Sequence, residues 1–530
     1  MTGSSQTAAN ADAIVEGASC LVVAHVERAT VLVDADSYYQ AFVQAALAAR
    51  RYIYITGWQF DTRARLLRPP AGSPPPHPIE LLPFLNYLCG QRPGLEIYIT
   101  AWDYSVVYAL EREWLQKLRF DFQSHPRVHF EFLEHPEPGG CHHQKLVVID
   151  GRLAFLGGLD LCDSRWDTRE HVKGAPERTD THDRPYKPFH DIQVALTGSV
   201  VAPLERLFLD GWRMATGSDL HGVHNSASAG PLSAVSDRVL DQVHDSLGLP
   251  LRGRRVAVSR TEWIRQGQVT AEVQALFERA IAGAERLIYI ETQYFTSKAL
   301  TEAIYLRLAD PTRSKLQIVL VMPDGADSPK EDFVLGNRQR RVRRFIADAA
   351  RHHGHRFRLL MSSEATADEP CPATFIHSKV MIVDDEFLTI GSANFTNRSL
   401  RIDRELNVAW QVRLEEPEAA ACLGADIRAL RASLLAEHAG RDGGEEFLEI
   451  DGLIERLDRV CDDGGGKLRC QTLPEAEGDD PLLIAIFDPS GPIDWDTLDQ
   501  SLEDAFEANE GFVKKGAQKV GQRLGVIDVG

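Results

Sequence analysis

The chain has 530 residues, 44% of them hydrophobic and 25% charged, which is typical of a globular protein with two or three domains. Its net charge of −19 disfavours general binding to nucleic acid, because that affinity depends on basic side chains that neutralise phosphates. It has no apolar run near the ~18 residues of a bilayer span, no secretory signal pattern and no CxxC pair among its eight cysteines, so we expect a cytoplasmic or peripheral membrane location, with export by a non-classical route left open.

The first half of the chain alternates helix-like and strand-like segments. A helical pattern at 38–49 precedes the strand-like run RRYIYITGWQF at 50–60, and a second strand-like run, LEIYITAWD, covers 95–103. A proline-rich insertion at 68–78 and a polar stretch at 163–188 interrupt this half. Loops of this kind cluster around the site in α/β folds, so we expect them near a functional site.

A polar cassette begins at the segment CHHQKLVVID, residues 141–150. His143 and Lys145 precede four apolar residues that end at Asp150, and a second apolar run then leads to Gly157. The apolar run is typical of a buried strand. Because alternate residues of a strand share one face, the histidine and the lysine can meet the same ligand.

The second half repeats the first after a Gly/Ser-rich segment at 214–237. A helical pattern at 271–284 precedes ERLIYIETQYF at 285–295, which resembles the run at 50–60, and LQIVLVMPD at 316–324 resembles LEIYITAWD. Duplicated helix–strand units predict an α/β fold of two similar α/β/α sandwich domains, each with a mostly parallel sheet. We expect the two domains to be related by a pseudo-twofold axis.

The cassette itself is also duplicated. In FIHSKVMIVDDEFLTIGSANF, His377 and Lys379 precede an apolar run that ends at Asp384, and a second run leads to Gly391. One copy alone would be weak, because a histidine beside a lysine is often structural. Two copies with matched polar positions indicate a shared chemical role.

The repeat also divides the chain. The predicted segments are a lead-in at 1–34, a first domain at 35–215, a linker at 216–250, a second domain at 251–440 and an acidic appendage at 441–530. The appendage holds 22 acidic and 9 basic side chains, with a predicted strand at 482–487 and a predicted helix near 494–508. Because it lies outside the duplicated region, we expect it to be dispensable for chemistry.

Two imidazoles and two ammonium groups suit attack on an anionic phosphorus centre. One histidine can act as the nucleophile and the other as the acid for the leaving oxygen, while the lysines stabilise the charge of the transition state. We therefore expect no metal ion and no cofactor in the reaction, and turnover that largely survives EDTA. Since each copy supplies half a site, the active site is expected at the domain interface of a monomer.

The doubled pattern resembles that of the phospholipase D superfamily, in which HxK, four residues and Asp are followed by six residues and a GG/GS-x-N/D element. The last positions of that pattern are Asp160 and Asn394, and the similarity covers about residues 35–415. The eukaryotic-type branch is the most similar, on segments at 98–105, 155–168, 184–198 and 291–295.

The resemblance implies roles for the cassette residues. It assigns the nucleophile to His143 and protonation of the leaving group to His377, and it makes the aspartates of the cassettes, Asp150 and Asp384, structural. The substrate phosphate would be bound by the residues Lys145, Lys379, Asn394 and Asp160. Asp160 departs from many bacterial members, which have an Asn able to donate to the phosphate.

The family also places an acidic residue downstream of each cassette, behind the histidine. Asp191 in FHDIQV and Glu405 in DRELNV occupy these positions. A carboxylate bonded to one ring nitrogen fixes the tautomer and raises the basicity of the other nitrogen.

By resemblance, the expected activity is hydrolysis of glycerophospholipids to phosphatidic acid and a free headgroup alcohol, through a covalent phosphohistidine at a membrane surface. An alcohol could replace water as the acceptor, which gives transphosphatidylation. The alternatives are a cardiolipin-synthase-like phosphatidyltransferase and, from another class, a nuclease, which the acidic balance disfavours. A non-catalytic binding role would need a broken motif, and both copies are intact.

Overall fold

A computed structural model describes most of the chain. The described residues are 12–70, 72–103, 116–137, 140–220, 236–264, 268–325, 337–363, 372–463, 466–471 and 473. The strand predicted at 482–487 and the helix predicted near 494–508 lie outside these residues.

Twenty strands and eleven helices are assigned within the described residues. The strands are β1 (Val22–His25), β2 (Arg28–Val33), β3 (Tyr52–Gly57), β4 (Glu96–Trp102), β5 (Val128–Leu133), β6 (Leu146–Ile149), β7 (Leu153–Gly157), β8 (Phe189–His190), β9 (Ile192–Thr197), β10 (Leu249–Leu251), β11 (Arg255–Ile264), β12 (Gln268–Ala271), β13 (Leu287–Glu291), β14 (Gln317–Val321), β15 (Arg356–Ser362), β16 (Phe375–Ile376), β17 (Val380–Val383), β18 (Phe387–Gly391), β19 (Glu405–Gln411) and β20 (Leu468–Cys470). The helices are α1 (Asp34–Ala48), α2 (Leu81–Gln91), α3 (Gln116–Gln123), α4 (Val201–Thr216), α5 (Asp237–Ser246), α6 (Glu272–Gly283), α7 (Lys298–Ala309), α8 (Asn337–His352), α9 (Asn397–Arg401), α10 (Pro417–Ala439) and α11 (Leu453–Asp462). In the part of the chain that is described, no helix has the length and apolar character needed to cross a bilayer.

The chain is a mixed α/β protein with two large sheets of matching strand order. One sheet runs β10-β2-β9-β7-β6-β3-β4-β5 and the other runs β1-β11-β19-β18-β17-β13-β14-β15-β20. The repeated runs of the sequence become β3 and β13, and β4 and β14, which hold equivalent places in the two sheets. Each cassette forms a hairpin, β6–β7 or β17–β18, at the centre of its sheet.

The prediction of mostly parallel sheets is wrong. Only β3–β4–β5 and β13–β14–β15 are parallel, and the other pairs within each large sheet are antiparallel. The reason lies in the connections. A parallel pair needs a crossover of about a dozen residues, whereas the cassette strands are joined by tight turns such as residues 150–152.

Buried side chains fill three apolar layers. Outside the first sheet lie α1, α2, α3 and α5, and outside the second lie α6, α7 and α8. Between the sheets, apolar residues of both sheets join those of α4, α10 and α11 in one continuous cluster. The two sheets therefore share a core, and the interface between them is part of the folded structure.

Two predicted boundaries differ from the structure. In the expected lead-in, β1 pairs with β11 of the second sheet while β2 pairs with β9 of the first. In the expected linker, α5 packs on the first sheet and β10 pairs with β2. Gly/Ser-rich composition marked residues 214–237, but the apolar side chains Leu240 and Val243 beyond it are buried.

The expected boundary at residue 440 also does not separate an appendage from the second domain. β20 pairs with β15, and Phe447, Leu453, Leu457 and Leu468 are fully buried in the shared core. Backbone carbonyls at 447 and 448 accept hydrogen bonds from the buried guanidinium of Arg431 at 2.7 and 2.9 Å. The expectation of a dispensable tail can therefore hold only beyond residue 473.

We expect a variant that ends at residue 440 to lose cooperative folding. It exposes the core covered by four fully buried side chains, each worth about 1.5–3 kcal/mol, and it leaves Arg431 without two acceptors. The total is comparable to the ~5–15 kcal/mol stability of a whole domain. Thermal unfolding followed by circular dichroism measures the effect, with a variant that ends at residue 473 as control. Equal melting temperatures for the two variants would contradict this expectation.

Candidate active site

The cassette aspartates lie at the turns of the two hairpins. Asp150 and Asp384 have φ of 53° and 57°, in the left-handed region that Asp tolerates better than most residues. Asp150 accepts the backbone N–H groups of residues 50–52 at 2.8–3.1 Å, and Asp384 accepts those of residues 285–287 at 2.7 Å. Each carboxylate thus anchors its hairpin to the start of the neighbouring antiparallel strand, β3 or β13, at the end of the hairpin strand opposite the histidine.

Short backbone contacts link the two halves at the histidines. β8 pairs in parallel with β16, and the N–H of His377 donates to the carbonyl of His190 at 2.8 Å. In the same way the N–H of His143 donates to the carbonyl of Arg404 at 2.9 Å. Each cassette histidine is therefore held against the residue that precedes the carboxylate of the other half.

The consequence is a pair of crossed histidine–carboxylate contacts. His143 Nδ1 lies 3.0 Å from Glu405 Oε2, and His377 Nδ1 lies 2.6 Å from Asp191 Oδ2. Both carboxylates are fully buried and both imidazoles are 13% exposed. Each histidine therefore uses the carboxylate of the opposite half. With Nδ1 engaged, Nε2 is the nitrogen left for chemistry.

The two lysines lie beside the histidines and have different partners. Lys145 Nζ donates to the His143 carbonyl at 2.9 Å and lies 3.2 Å from Asp160 Oδ2. Lys379 Nζ donates to the His377 carbonyl and lies 3.0 Å from His377 Nδ1. Asp160, the departure noted in the sequence, is thus an ion-pair partner of the first lysine.

The remaining residue predicted to bind phosphate is Asn394, at the position equivalent to Asp160. Asn394 is buried, and its side-chain Oδ1 makes no hydrogen bond within the described residues. This oxygen is an acceptor, so a phosphate oxygen could be bound only by the NH2 group of the same amide. The two halves of the site therefore carry different polar groups at equivalent positions, a carboxylate in the first and an amide in the second.

Burial sets the electrostatics of the site. It lowers the pKa of both His143 and His377 well below the ordinary value, with Lys379 contributing to each shift. It also raises the pKa of Glu405 to about 8 and lowers the pKa of Lys379 to about 7. All four shifts have the same main cause, because a group removed from water is disfavoured in its charged form.

The shift of Lys379 predicts a pH effect on substrate capture. Its pKa lies below the unfolded value, so the ammonium is charged below about pH 7 and neutral above it. An anionic substrate is then bound less well as pH rises, and we expect kcat/KM to fall above about pH 7 with a smaller change in kcat. The control is Lys379→Arg, whose guanidinium stays charged. If kcat/KM of Lys379→Arg falls above about pH 7 as much as that of the wild-type protein, the pH effect does not come from Lys379.

The small residues after each hairpin make room for the carboxylates. Gly157 faces Gln193 of β9, and Gly391 faces Asn407 of β19 in the equivalent register. A Cβ at either glycine would overlap the facing side chain, and one at Gly158 would overlap Asp191. The glycines therefore let the strand with the carboxylate approach the hairpin closely.

Sequence reasoning missed several contacts around the site. Ser392 donates its hydroxyl to Glu405, and the N–H of Trp58 donates to Asp160 at 2.8 Å. The polar GS element could have signalled Ser392. The expectation that the polar stretch at 163–188 lies near the site is supported by Arg165, which is close enough to lower the pKa of His377.

Comparison with known proteins gives matches over both cassettes. The family model described as "Phospholipase D" matches residues 139–302, and the model described as "Cardiolipin synthase, PLD-like domain" matches residues 277–424. Curated relatives include Phospholipase D A of Dictyostelium discoideum and Phospholipase D alpha 1 of Carica papaya, each 24% identical and covering 72% and 78% of this chain. A phosphatidylserine synthase structure from Haemophilus influenzae aligns with a TM-score of 0.49 at 14% identity, over 83% of this chain and 95% of that one.

The relatives are longer than this chain. The alignments span 32% of the Dictyostelium protein, 29% of Phospholipase D1 of Saccharomyces cerevisiae and 65% of the papaya protein. The yeast protein is 24% identical and covers 78% of this chain.

Proposed function

Since this chain belongs to the phospholipase D superfamily, we propose that it is a phosphodiesterase of the phospholipase D type. It would hydrolyse a glycerophospholipid to phosphatidic acid and the free headgroup alcohol. The observation that carries the proposal is the pair of crossed contacts, His143 with Glu405 and His377 with Asp191, flanked by two lysines. Two buried imidazoles with Nε2 available match a two-step displacement at phosphorus.

In the first step, Nε2 of His143 attacks phosphorus and forms a P–N bond. The P–O bond to the headgroup breaks, and His377 donates a proton to the departing oxygen. His377 must carry this proton in the substrate complex, where the anionic phosphate opposes the effect of burial on its pKa. In the second step, His377 accepts a proton from water, whose oxygen attacks phosphorus and breaks the P–N bond. Phosphatidic acid leaves and both imidazoles return to their starting state.

The other polar groups support these steps. Glu405 and Asp191 orient the two rings through Nδ1, so that Nε2 faces the reacting phosphorus. Lys145 and Lys379 neutralise the equatorial oxygens as charge develops there. Asn394 is assigned to bind one of these oxygens through its amide, and Asp160 to hold Lys145 in place.

An alcohol can take the place of water in the second step and give a phosphatidyl alcohol. A second candidate function, a cardiolipin-synthase-like phosphatidyltransferase, differs only in using another lipid as that alcohol. The family model described as "Cardiolipin synthase, PLD-like domain", matched at 277–424, favours keeping this candidate. The substrate lies in a membrane surface in both cases, so peripheral binding to phospholipid is proposed with either.

We also propose that the chain forms two related domains and acts as a monomer. The matching strand orders of the two sheets support a pseudo-twofold axis between two domains. The first domain covers 35–215 together with β2, α5 and β10, and the second covers 251–440 together with β1, α11 and β20. Both halves of the site come from one chain, which supports a functional monomer.

The function is tested with soluble short-chain phosphatidylcholine, phosphatidylglycerol and single-stranded DNA, with and without ethanol, during a brief exposure to EDTA. The expected products are phosphatidic acid without ethanol and phosphatidylethanol with it, while DNA stays intact. A preference for a second phosphatidylglycerol as acceptor would select the transferase. Cleavage of DNA alone would reject both lipid functions.

A further inference from the structure

A second cluster of histidines and carboxylates lies outside the cassette histidines. Its members are Asp34 at the start of α1, His171 in the polar stretch, His190 of β8 and Glu437 near the end of α10. Their side chains are at most 1% exposed. Four ionisable groups buried together need a common source of charge compensation.

The donor atoms of the four residues approach one another closely. His171 Nε2 lies 3.5 Å from Asp34 Oδ2 and 3.3 Å from Glu437 Oε1, and His190 Nδ1 lies 3.1 Å from Asp34 Oδ1 and 2.6 Å from Glu437 Oε1. Four ligands of a tetrahedral metal with bonds of about 2.0–2.1 Å would be about 3.3 Å apart. One such atom from each residue lies within 4.8 Å of the other three, so side-chain movements of about an ångström would bring the set to this spacing.

Two of these atoms also lack hydrogen bonds, whereas His171 Nε2 and Glu437 Oε1 are hydrogen-bonded at 3.3 Å. Within the described residues, Asp34 Oδ2 and His190 Nδ1 make none, although oppositely charged groups lie nearby. Buried polar atoms are rarely left unpaired. Short separations without hydrogen bonds are expected when lone pairs are directed at a shared centre instead of at one another.

The other nitrogen of each histidine is already engaged by a carboxylate. His171 Nδ1 lies 3.0 Å from Asp167 Oδ2, and His190 Nε2 lies 3.0 Å from Glu291 Oε2. A carboxylate behind each imidazole is the usual arrangement around a metal, because it fixes the ring and leaves the opposite nitrogen for the ion.

We propose that Asp34, His171, His190 and Glu437 bind one divalent transition-metal ion of the Zn²⁺ class. Two imidazole nitrogens with two carboxylate oxygens suit Zn²⁺, whereas Ca²⁺ and Mg²⁺ prefer oxygen ligands alone. Because all four positions are filled by protein and the site is buried, the ion is structural and does not take part in the reaction.

One divalent ion satisfies the charge balance of the cluster. Four carboxylates surround the cluster, those of Asp34, Glu437, Asp167 and Glu291, and two of them contact arginines: Arg169 with Glu437, and Arg178 with Asp167. Glu291 also contacts His438, whose Nε2 lies 2.9 Å from Oε1. One divalent cation, counted with all three imidazoles neutral, neutralises the remaining two charges. Two protons, one on each of His171 and His190, would give the same balance without a metal, and the test separates these states.

A metal ion at this site would help to hold the catalytic residues in position. Asp34 Oδ1 accepts the backbone N–H of Asp191 at 3.1 Å, and His190 is the residue before Asp191. Glu291 accepts the hydroxyl of Ser378, which lies between the histidine and lysine of the second cassette, at 2.6 Å. Glu437 belongs to the second half of the chain, so a bound ion would tie both halves together beside the contact between Asp191 and His377.

The test measures metal in the full chain without substrate. Protein expressed with zinc and dialysed against a dilute chelator is expected to retain about one Zn²⁺ per chain by elemental mass spectrometry. Refolding with Co²⁺ in place of Zn²⁺ should give the intense visible bands of a tetrahedral site. Refolding with Zn²⁺ should also raise the melting temperature above that of metal-free protein.

Variants identify the ligands. Glu437→Gln and His171→Gln should reduce bound zinc to below about a tenth of the wild-type content, and Asp167→Asn should weaken zinc affinity by about 10–100-fold. The matched control is His244→Gln, since His244 is also buried but contacts Thr30 at 2.7 Å, outside the cluster. This control should keep full zinc content.

Three outcomes would overturn the proposal. These are wild-type protein without bound metal and with no change in melting temperature on refolding with Zn²⁺, full zinc content in both ligand variants, and equal loss of zinc in the His244 control. The first would assign the cluster to protonated histidines. None of them bears on the proposed phosphodiesterase activity, because no substrate is used.

Discussion

Replacing His143 with Ala is expected to abolish cleavage of every substrate, whereas replacing His377 with Ala should reduce it by an amount that depends on the leaving group. Without His143 no P–N bond forms, so the rate should fall by more than about 10⁴-fold, the upper end of what a proton-transfer group alone supplies. Without His377 the nucleophile remains, but an alkoxide must leave unprotonated.

The leaving group separates the two roles. With a natural headgroup alcohol, we expect His377→Ala to slow cleavage by about 10²–10⁴-fold. With a p-nitrophenyl ester the loss should be much smaller, because p-nitrophenolate leaves without a proton. His143→Ala should be inactive toward both substrates. Rates for the two substrates, measured on variants with unchanged circular dichroism, give the comparison.

Trapping the intermediate completes this test. In the His377→Ala protein the second step lacks its base, so acid-labile label from the substrate should accumulate on His143. Label on His377 in the His143→Ala protein, together with no label on His143 in the His377→Ala protein, would reverse the assignment and keep the two-step reaction. Activity in both variants with no covalent label under any condition would reject the mechanism.

The second expected result concerns the carboxylates, and it depends on their crossed pairing. Asp191→Asn should slow cleavage with the same leaving-group dependence as His377→Ala but by a smaller factor, although Asp191 follows the first cassette in the sequence. Glu405→Gln should likewise reproduce the effect of changing His143. The reason is geometric, because Asp191 Oδ2 lies 2.6 Å from His377 Nδ1 and Glu405 Oε2 lies 3.0 Å from His143 Nδ1.

We expect each substitution to lower kcat by about 10²–10⁴-fold, the range lost when a buried carboxylate no longer fixes the catalytic tautomer. The loss in Asp191→Asn should shrink with the p-nitrophenyl ester, and the loss in Glu405→Gln should not. Both replacements keep the side-chain shape.

The double variants provide the control. Combining Asp191→Asn with His377→Ala should cost little more than His377→Ala alone, because the two residues act as a unit. Combining Asp191→Asn with His143→Ala gives no such information, since that protein is already inactive. Full additivity in the first combination, or a leaving-group effect confined to Glu405→Gln, would contradict the crossed assignment.

The local pattern of the sequence predicted the parts of the site that depend on short stretches of chain. His-x-Lys at the start of an apolar run predicts two side chains on one face of a buried strand, and both cassettes form such strands. The turn position of Asp150 and Asp384 was predictable for the same reason, since a turn is determined by residues close in sequence. The repeated runs at 50–60 and 285–295 placed β3 and β13 correctly.

Other features needed the tertiary structure because they join residues distant in the chain. The contact between His143 and Glu405 spans 262 residues, and the one between His377 and Asp191 spans 186. Sequence order suggests that each carboxylate serves the cassette before it, but the backbone contacts at His190 and Arg404 reverse this.

Sheet direction and domain limits were decided in the same way. The alternation of helices and strands suggested parallel sheets, yet the short turns of the cassettes force antiparallel hairpins. Acidic composition suggested an appendage after residue 440, although the apolar side chains of Phe447 and Leu468 are buried in the shared core. Asp34 and Glu437 carry no spacing signal at all, because only the packing of the two halves brings them to the same pair of histidines.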